Sequence, residues 1–122
     1  MPIPDEALDA YVAMWNTADE ERRRALASQA LTEDAVVLYP TIEAHGRAEA
    51  LAAATRWHQE LPGVQIVLTS GITHHHGWFR VAWRVVDAGG SAGVEGQNIG
   101  ELAEDGRLRR TIGFLDPLPG RP

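Results

Sequence analysis

His74-His75-His76 is the densest run of potential ligands in this 122-residue chain. In an extended segment His74 and His76 project on one face, where both could ligate zinc or nickel. A third ligand is missing from the locality and a histidine-glycine turn accounts for the run, so no metal site is expected. His58 lies seven residues after Leu51, with Leu61 three beyond. That spacing puts all three on one helix face and an imidazole against an apolar interior. Asp116 stands two residues beyond Phe114 and four beyond Ile112, on the same strand face. Buried among aromatics, its pKa would rise toward a value useful for abstracting a carbon-bound proton. Trp15, Trp57, Trp83 and Phe114, with Tyr39, would supply an apolar lining. Each of these has a structural reading beside the chemical one: a satisfied histidine, a solvated aspartate before Pro117, aromatics that simply fill the core.

Composition bounds what such groups can do. The chain has 44% hydrophobic residues, the length of one domain, and a single core over residues 1–122 is expected. There is no cysteine, which excludes disulfides, thiolate metal sites and a cysteine nucleophile. Seventeen acidic against eleven basic residues give a net charge of -6, the wrong sign for gripping a phosphate backbone, so nucleic acid is not an expected partner. The run Arg22-Arg23-Arg24 follows Asp19, Glu20 and Glu21 and is expected to be a solvated helix face with i,i+3 and i,i+4 pairs. The N-terminus lacks a charged and apolar leader, and no segment approaches ~20 uninterrupted apolar residues. A soluble, cytoplasmic protein with no membrane contact is the expectation.

The elements that must position these residues are legible in part. Leu8, Tyr11, Val12 and Trp15 follow helical spacing from Pro4 to about Asn16. Thr17 with Glu20 forms a capping box for a second helix reaching about Ala30. Ala35 to Tyr39 reads as a short strand halted by Pro40, and Gly46 opens a helix from Arg47 to about Leu61. Val64 to Thr69, Trp78 to Val86, Ala92 to Leu102 and Arg107 to Leu115 are extended, separated by turn residues that make antiparallel neighbours. Along the second of these, Phe79, Val81, Trp83 and Val85 share one face and Arg80 and Arg84 the other. Helices early and sheet late argue for an α+β fold.

This order resembles the nuclear transport factor two-like superfamily, which includes ketosteroid isomerases and polyketide-cyclase-like proteins. The resemblance rests on the run from Tyr11 to Asp19 at the first helix corner, Leu31 to Val36 entering the strand, His45 to Leu51 starting the third helix, and the closing turn Glu104 to Leu108. It implies a cone-shaped curved antiparallel sheet wrapped around a long helix, with two further N-terminal helices. A deep pocket for a hydrophobic small molecule, and a homodimer through the outer sheet face, would follow from it. It also implies roles. Tyr11 resembles the isomerases' oxyanion tyrosine, and Asn98 falls where their second oxyanion donor would lie, an amide able to donate without a pKa shift. Their catalytic aspartate should precede the proline after the first strand, where this chain has Tyr39 before Pro40. Asp116 resembles the last-strand aspartate of polyketide-cyclase-like enzymes.

The leading expectation is a cofactor-free isomerase or cyclase acting on a hydrophobic carbonyl compound, with Asp116 or His58 as base and Tyr11 and Asn98 bonding the enolate oxygen. The alternative is a non-catalytic homodimeric binding or assembly module. A third, epoxide-hydrolase-like site would need an Asp and Arg pair inside the pocket. On the outer sheet face Arg80, Arg84, Glu95 and Glu101 can form cross-strand pairs, and Trp78 among them suggests an interface.

Overall fold

Acidic residues at Asp5 and Glu6 favour the start of α1 (Asp5–Asn16), whose Leu8, Tyr11, Met14 and Trp15 fall on one side and are buried. The computed structural model describes residues 2–122. Leu8 and Met14 are almost completely enclosed, each worth roughly 1.5–3 kcal/mol of apolar transfer. The corner to α2 (Glu20–Ala30) is capped by Asp19, whose carboxylate accepts the Arg22 amide at 2.8 Å, and not by the expected Thr17.

The arginine run is not uniformly solvated as expected. Arg24 pairs with Glu20 at 3.8 Å on the surface, but Arg23 is 3% exposed. Its guanidinium donates to the carbonyls of Thr17 and Ala18, just past the end of α1, and to Thr55 Oγ1. A cation at this corner satisfies carbonyls left open where α1 ends.

Seven strands follow: β1 (Leu31–Tyr39), β2 (Ile42–His45), β3 (Gln65–Leu68), β4 (Thr73–His75), β5 (Trp78–Val86), β6 (Ala92–Leu102) and β7 (Leu108–Leu115). Between β2 and β3 runs α3 (Arg47–Glu60), packed on β1 and β2 and against the two other helices. The main sheet path is β2-β1-β7-β6-β5-β3, with β4 pairing β5. It is a mixed, open sheet: β1 and β7 run parallel and every other pair is antiparallel. The first strand begins at Leu31, four residues before the expected Ala35, because α2 passes straight into it and a bulge separates Leu31 from Val36.

The concave face carries the core. Phe79, Val81 and Trp83 point inward from β5, and Asn98 and Thr111 join them from β6 and β7. Gly96 and Gly100 on β6 face this side, and a Cβ at either would run into the rings of Trp83 and Phe79 respectively. The glycines therefore let aromatic rings lie flat on the sheet floor. On the convex face Arg84 pairs with Glu95 at 3.6 Å and Arg110 with Glu101 at 3.3 Å, and Trp78 is 41% exposed. Among the described residues no helix is long and apolar enough to cross a membrane.

Candidate functional site

Between α1, the C-terminal end of α3 and the concave face of the sheet lies a cavity of about 310 Å³. Leu8, Tyr11, Val12 and Trp15 wall it from α1, and Trp57 and Leu61 from α3 and its end. Tyr39 to Ile42 enter from the β1–β2 turn; Ile66 and Leu68 come from β3 and Val81, Trp83 and Val85 from β5. Leu61, Val94 and Leu115 also line it and are about half exposed, which makes an apolar collar at its mouth.

The rings inside are set edge to face. Trp15 meets Tyr11, Tyr39 and Trp57 at centroid separations of 6.2, 5.9 and 6.0 Å, and Tyr39 meets Trp83 at 6.3 Å. Such contacts fix ring directions beyond what burial alone would do.

Polar groups gather at one spot. The Tyr11 and Tyr39 hydroxyls are 2.6 Å apart, Asn98 Nδ2 donates to the Tyr39 oxygen at 3.0 Å and to Thr111 Oγ1 at 2.7 Å, and Trp83 Nε1 donates to Asn98 Oδ1 at 2.7 Å. The indole is a donor only, so it fixes which end of the amide is oxygen. Burial raises the pKa of Tyr11 well above the ordinary phenol value, with the neighbouring Tyr39 adding to the rise, and burial raises that of Tyr39 too. Both phenols are therefore protonated donors at neutral pH.

Of the sequence candidates, Tyr11, Asn98, Trp15, Tyr39, Trp57 and Trp83 are brought together here. Asn98 differs from expectation in one respect: both amide hydrogens already serve Tyr39 and Thr111, so it supports the phenol pair and has no hydrogen left for a ligand. Phe114 does not line the cavity; it is 53% exposed on the convex face. Asp116 is exposed and also outside the lining. The reason is strand parity. Thr111 and Gly113 face inward on β7, so Ile112, Phe114 and Asp116, correctly placed on one face, are on the other face. His58 is not in the lining either. It shares a side of α3 with Thr55, three residues earlier, and its Nε2 is buried without a partner. His75 and His76 touch through their Nδ1 atoms at 3.0 Å in the exposed hairpin of β4 and β5.

Sequence reasoning passed over Asn16. Its amide donates to the Ile66 carbonyl at 2.8 Å and accepts the Ile66 N–H at 2.7 Å, tying the end of α1 to the edge strand β3. The signal was its position, one residue after the buried Trp15.

A mixed α+β sheet curled over a helix-lidded apolar cavity defines a nuclear transport factor two-like protein. The chain superposes on a candidate isomerase of the SnoaL-like family from Agrobacterium tumefaciens with a TM-score of 0.87 and 30% identity, over 93% of this chain and 97% of that one. It belongs to the SnoaL-like family within that superfamily. The fold is shared with a nuclear transport factor two-like protein of unknown function from Exiguobacterium at TM-score 0.73 and 18% identity, covering 92% and 99% of the two chains. A candidate SnoaL-like polyketide cyclase from Jannaschia matches at TM-score 0.68 and 15% identity, covering 95% and 89%. No protein-family model matches the sequence, and no curated protein matches it.

Proposed function

We propose that this chain binds a hydrophobic carbonyl compound in its cone, oxygen inward, and polarises that oxygen through the Tyr11 and Tyr39 phenols in isomerase- or cyclase-type chemistry without a cofactor. The observation that carries this is the 2.6 Å phenol pair at the floor of an otherwise apolar cavity. A preorganised donor in a dry site favours the charge that develops on an enolate oxygen, and burial strengthens it. The likeness to a candidate isomerase at 30% identity supports the same class. The two candidate bases, His58 on the Thr55 side of α3 and the solvated Asp116, both stand outside the lining, and the phenols carry the polarising role alone. The test is solvent-deuterium uptake at the α-carbon of enolisable aryl ketones, followed by NMR. Uptake that is lost in Tyr11→Phe/Tyr39→Phe supports the enzyme.

A second reading, a non-catalytic homodimeric binding module, is favoured by one specific observation: among the described residues no carboxylate, imidazole or guanidinium lines the cavity. Tight binding with no deuterium uptake selects it. The lining also lacks the Asp and Arg pair that an epoxide-hydrolase-like site requires. Under either main reading the convex sheet face is the homodimer surface, supported by the exposed Trp78, Ile99 and Phe114 set among ion pairs.

A further inference from the structure

The chain leaves the sheet at the mouth of the cavity. Leu115, the last residue of β7, lines that mouth, and the amide of Asp116 donates to the Glu95 carbonyl at 3.0 Å, next to Val94. Beyond this anchor Leu118 is 86% exposed, although the half-exposed apolar side chains of Leu61, Val94 and Leu115 stand at the rim. Three extended residues reach at most ~10 Å, so the leucine is on a short tether. Pro117, Pro119 and Pro122 restrict what the segment can do. Leu118 and Arg121 each precede a proline, which biases both toward extended backbone. In polyproline II geometry the chain turns once every three residues, so these two side chains project on the same side, about 9 Å apart. Glu60 is exposed, directly before Leu61 on the α3 side of the rim, and Arg121 is exposed too. Among the described residues neither is in an ion pair.

From this we infer that residues 116–121 are a strap that closes over the mouth when a ligand fills the cavity, Leu118 seating in the collar of Leu61, Val94 and Leu115 while Arg121 meets Glu60. That closure rests on reading the cavity as a ligand pocket. A ligand puts apolar surface beneath the collar, so Leu118 gains contacts from below as well as from the rim. The prolines lower the cost of closing, because a segment already held extended has less freedom to lose. At about 3.1 Å per residue the six residues 116–121 extend about 19 Å. Packed layers lie ~10 Å apart, so the strap is long enough to pass from the sheet to the end of α3.

The test is the release rate of acetylnaphthalene, followed by tryptophan fluorescence in stopped flow. Leu118→Asp is expected to release it about tenfold faster, with association unchanged because entry is through the open mouth in both proteins. Arg121→Glu should release it about threefold faster, and adding Glu60→Arg should restore the wild-type rate. All three side chains are exposed, so urea midpoints are expected to stay at the wild-type value. Should the midpoint of Leu118→Asp move, the charge swap decides alone. Unchanged release in Leu118→Asp, or a swap that fails to restore the Arg121→Glu rate, overturns the strap and leaves the pocket reading standing. A wild type that does not bind acetylnaphthalene overturns the pocket reading, and the strap with it.

Discussion

The phenol ring of Tyr39 lies on the backbone of Gly113, so close that a Cβ built on the glycine would fall inside the ring contact and 3.2 Å from Asn98 Oδ1. Gly113 is paired with Asn98 across β6 and β7, so the absent side chain is what lets Tyr39 reach its amide. Gly113→Ala must push the ring off the floor. A loss of about 1–3 kcal/mol in urea unfolding is expected, with weaker ketone binding beside it. An unchanged stability would mean that Tyr39 is free to sit elsewhere.

Trp83 and Asn98 act as one unit, since the indole N–H fixes the amide that in turn holds Tyr39. Asn98→Ala leaves a buried indole N–H without its acceptor and is expected to cost about 1–3 kcal/mol. A double-mutant cycle with Trp83→Phe should return a coupling of about 0.5–3 kcal/mol. Simple additivity in the cycle would break the claim.

Why this site was only partly readable follows from the same residues. Helical spacing put Leu8, Tyr11 and Trp15 on one face, and alternation put Trp83 inward, because both periodicities are local. The parity of β7 was not local: it is set by pairing with β6 across the Leu102 bulge, and a one-residue error turned Phe114 and Asp116 toward the cavity. The parallel pairing of β1 with β7 joins segments some 70 residues apart, which no turn signal records. The engagement of the Asn98 amide likewise depends on Tyr39, 59 residues away in sequence. Arg23 looked like its two exposed neighbours because composition cannot say which arginine of three meets a helix end.

Stability should fall in strong alkali because of the phenol pair. Burial raises both folded-state pKa values, whereas unfolded tyrosines ionise near about 10. The neutral pair's contribution is therefore complete below that pH and is lost as pH climbs through the raised folded values. Above pH ~10 each tyrosine should cost up to about 1.4 kcal/mol per pH unit. Urea midpoints measured from pH 8 to 11 should drop more steeply in the wild type than in Tyr11→Phe/Tyr39→Phe; parallel profiles would remove the pair from the account.

Arg23 should matter far more than the arginine beside it. Arg23→Ala leaves the carbonyls of Thr17 and Ala18 without their donor and opens space under the corner, an expected loss of about 1–3 kcal/mol. Arg22→Ala removes an exposed side chain and should stay within ~0.5 kcal/mol. Thermal melts of the two variants side by side would settle it, and equal shifts would return Arg23 to the surface.

The convex face supplies the last prediction. Ile99 pairs with Ile112 across β6 and β7, Gln97 pairs with Phe114, and Arg80 and Ala82 stand opposite Ile99 and Gln97 on β5. An apolar strip, in which Ile99 is 41% and Phe114 53% exposed, thus runs between the ion pairs of Arg84 with Glu95 and Arg110 with Glu101. Apolar centre and charged margin together suit a self-complementary interface, where each copy meets the same patch on the other. Phe114→Arg or Ile99→Glu sets like charges against each other at the centre and should turn a dimer into a monomer in sedimentation velocity. Because both side chains point away from the cavity, ketone affinity should change less than about threefold. A wild type that sediments as a monomer at all concentrations would sink the interface, and a variant that loses binding with the dimer would show instead that the partner copy shapes the cone.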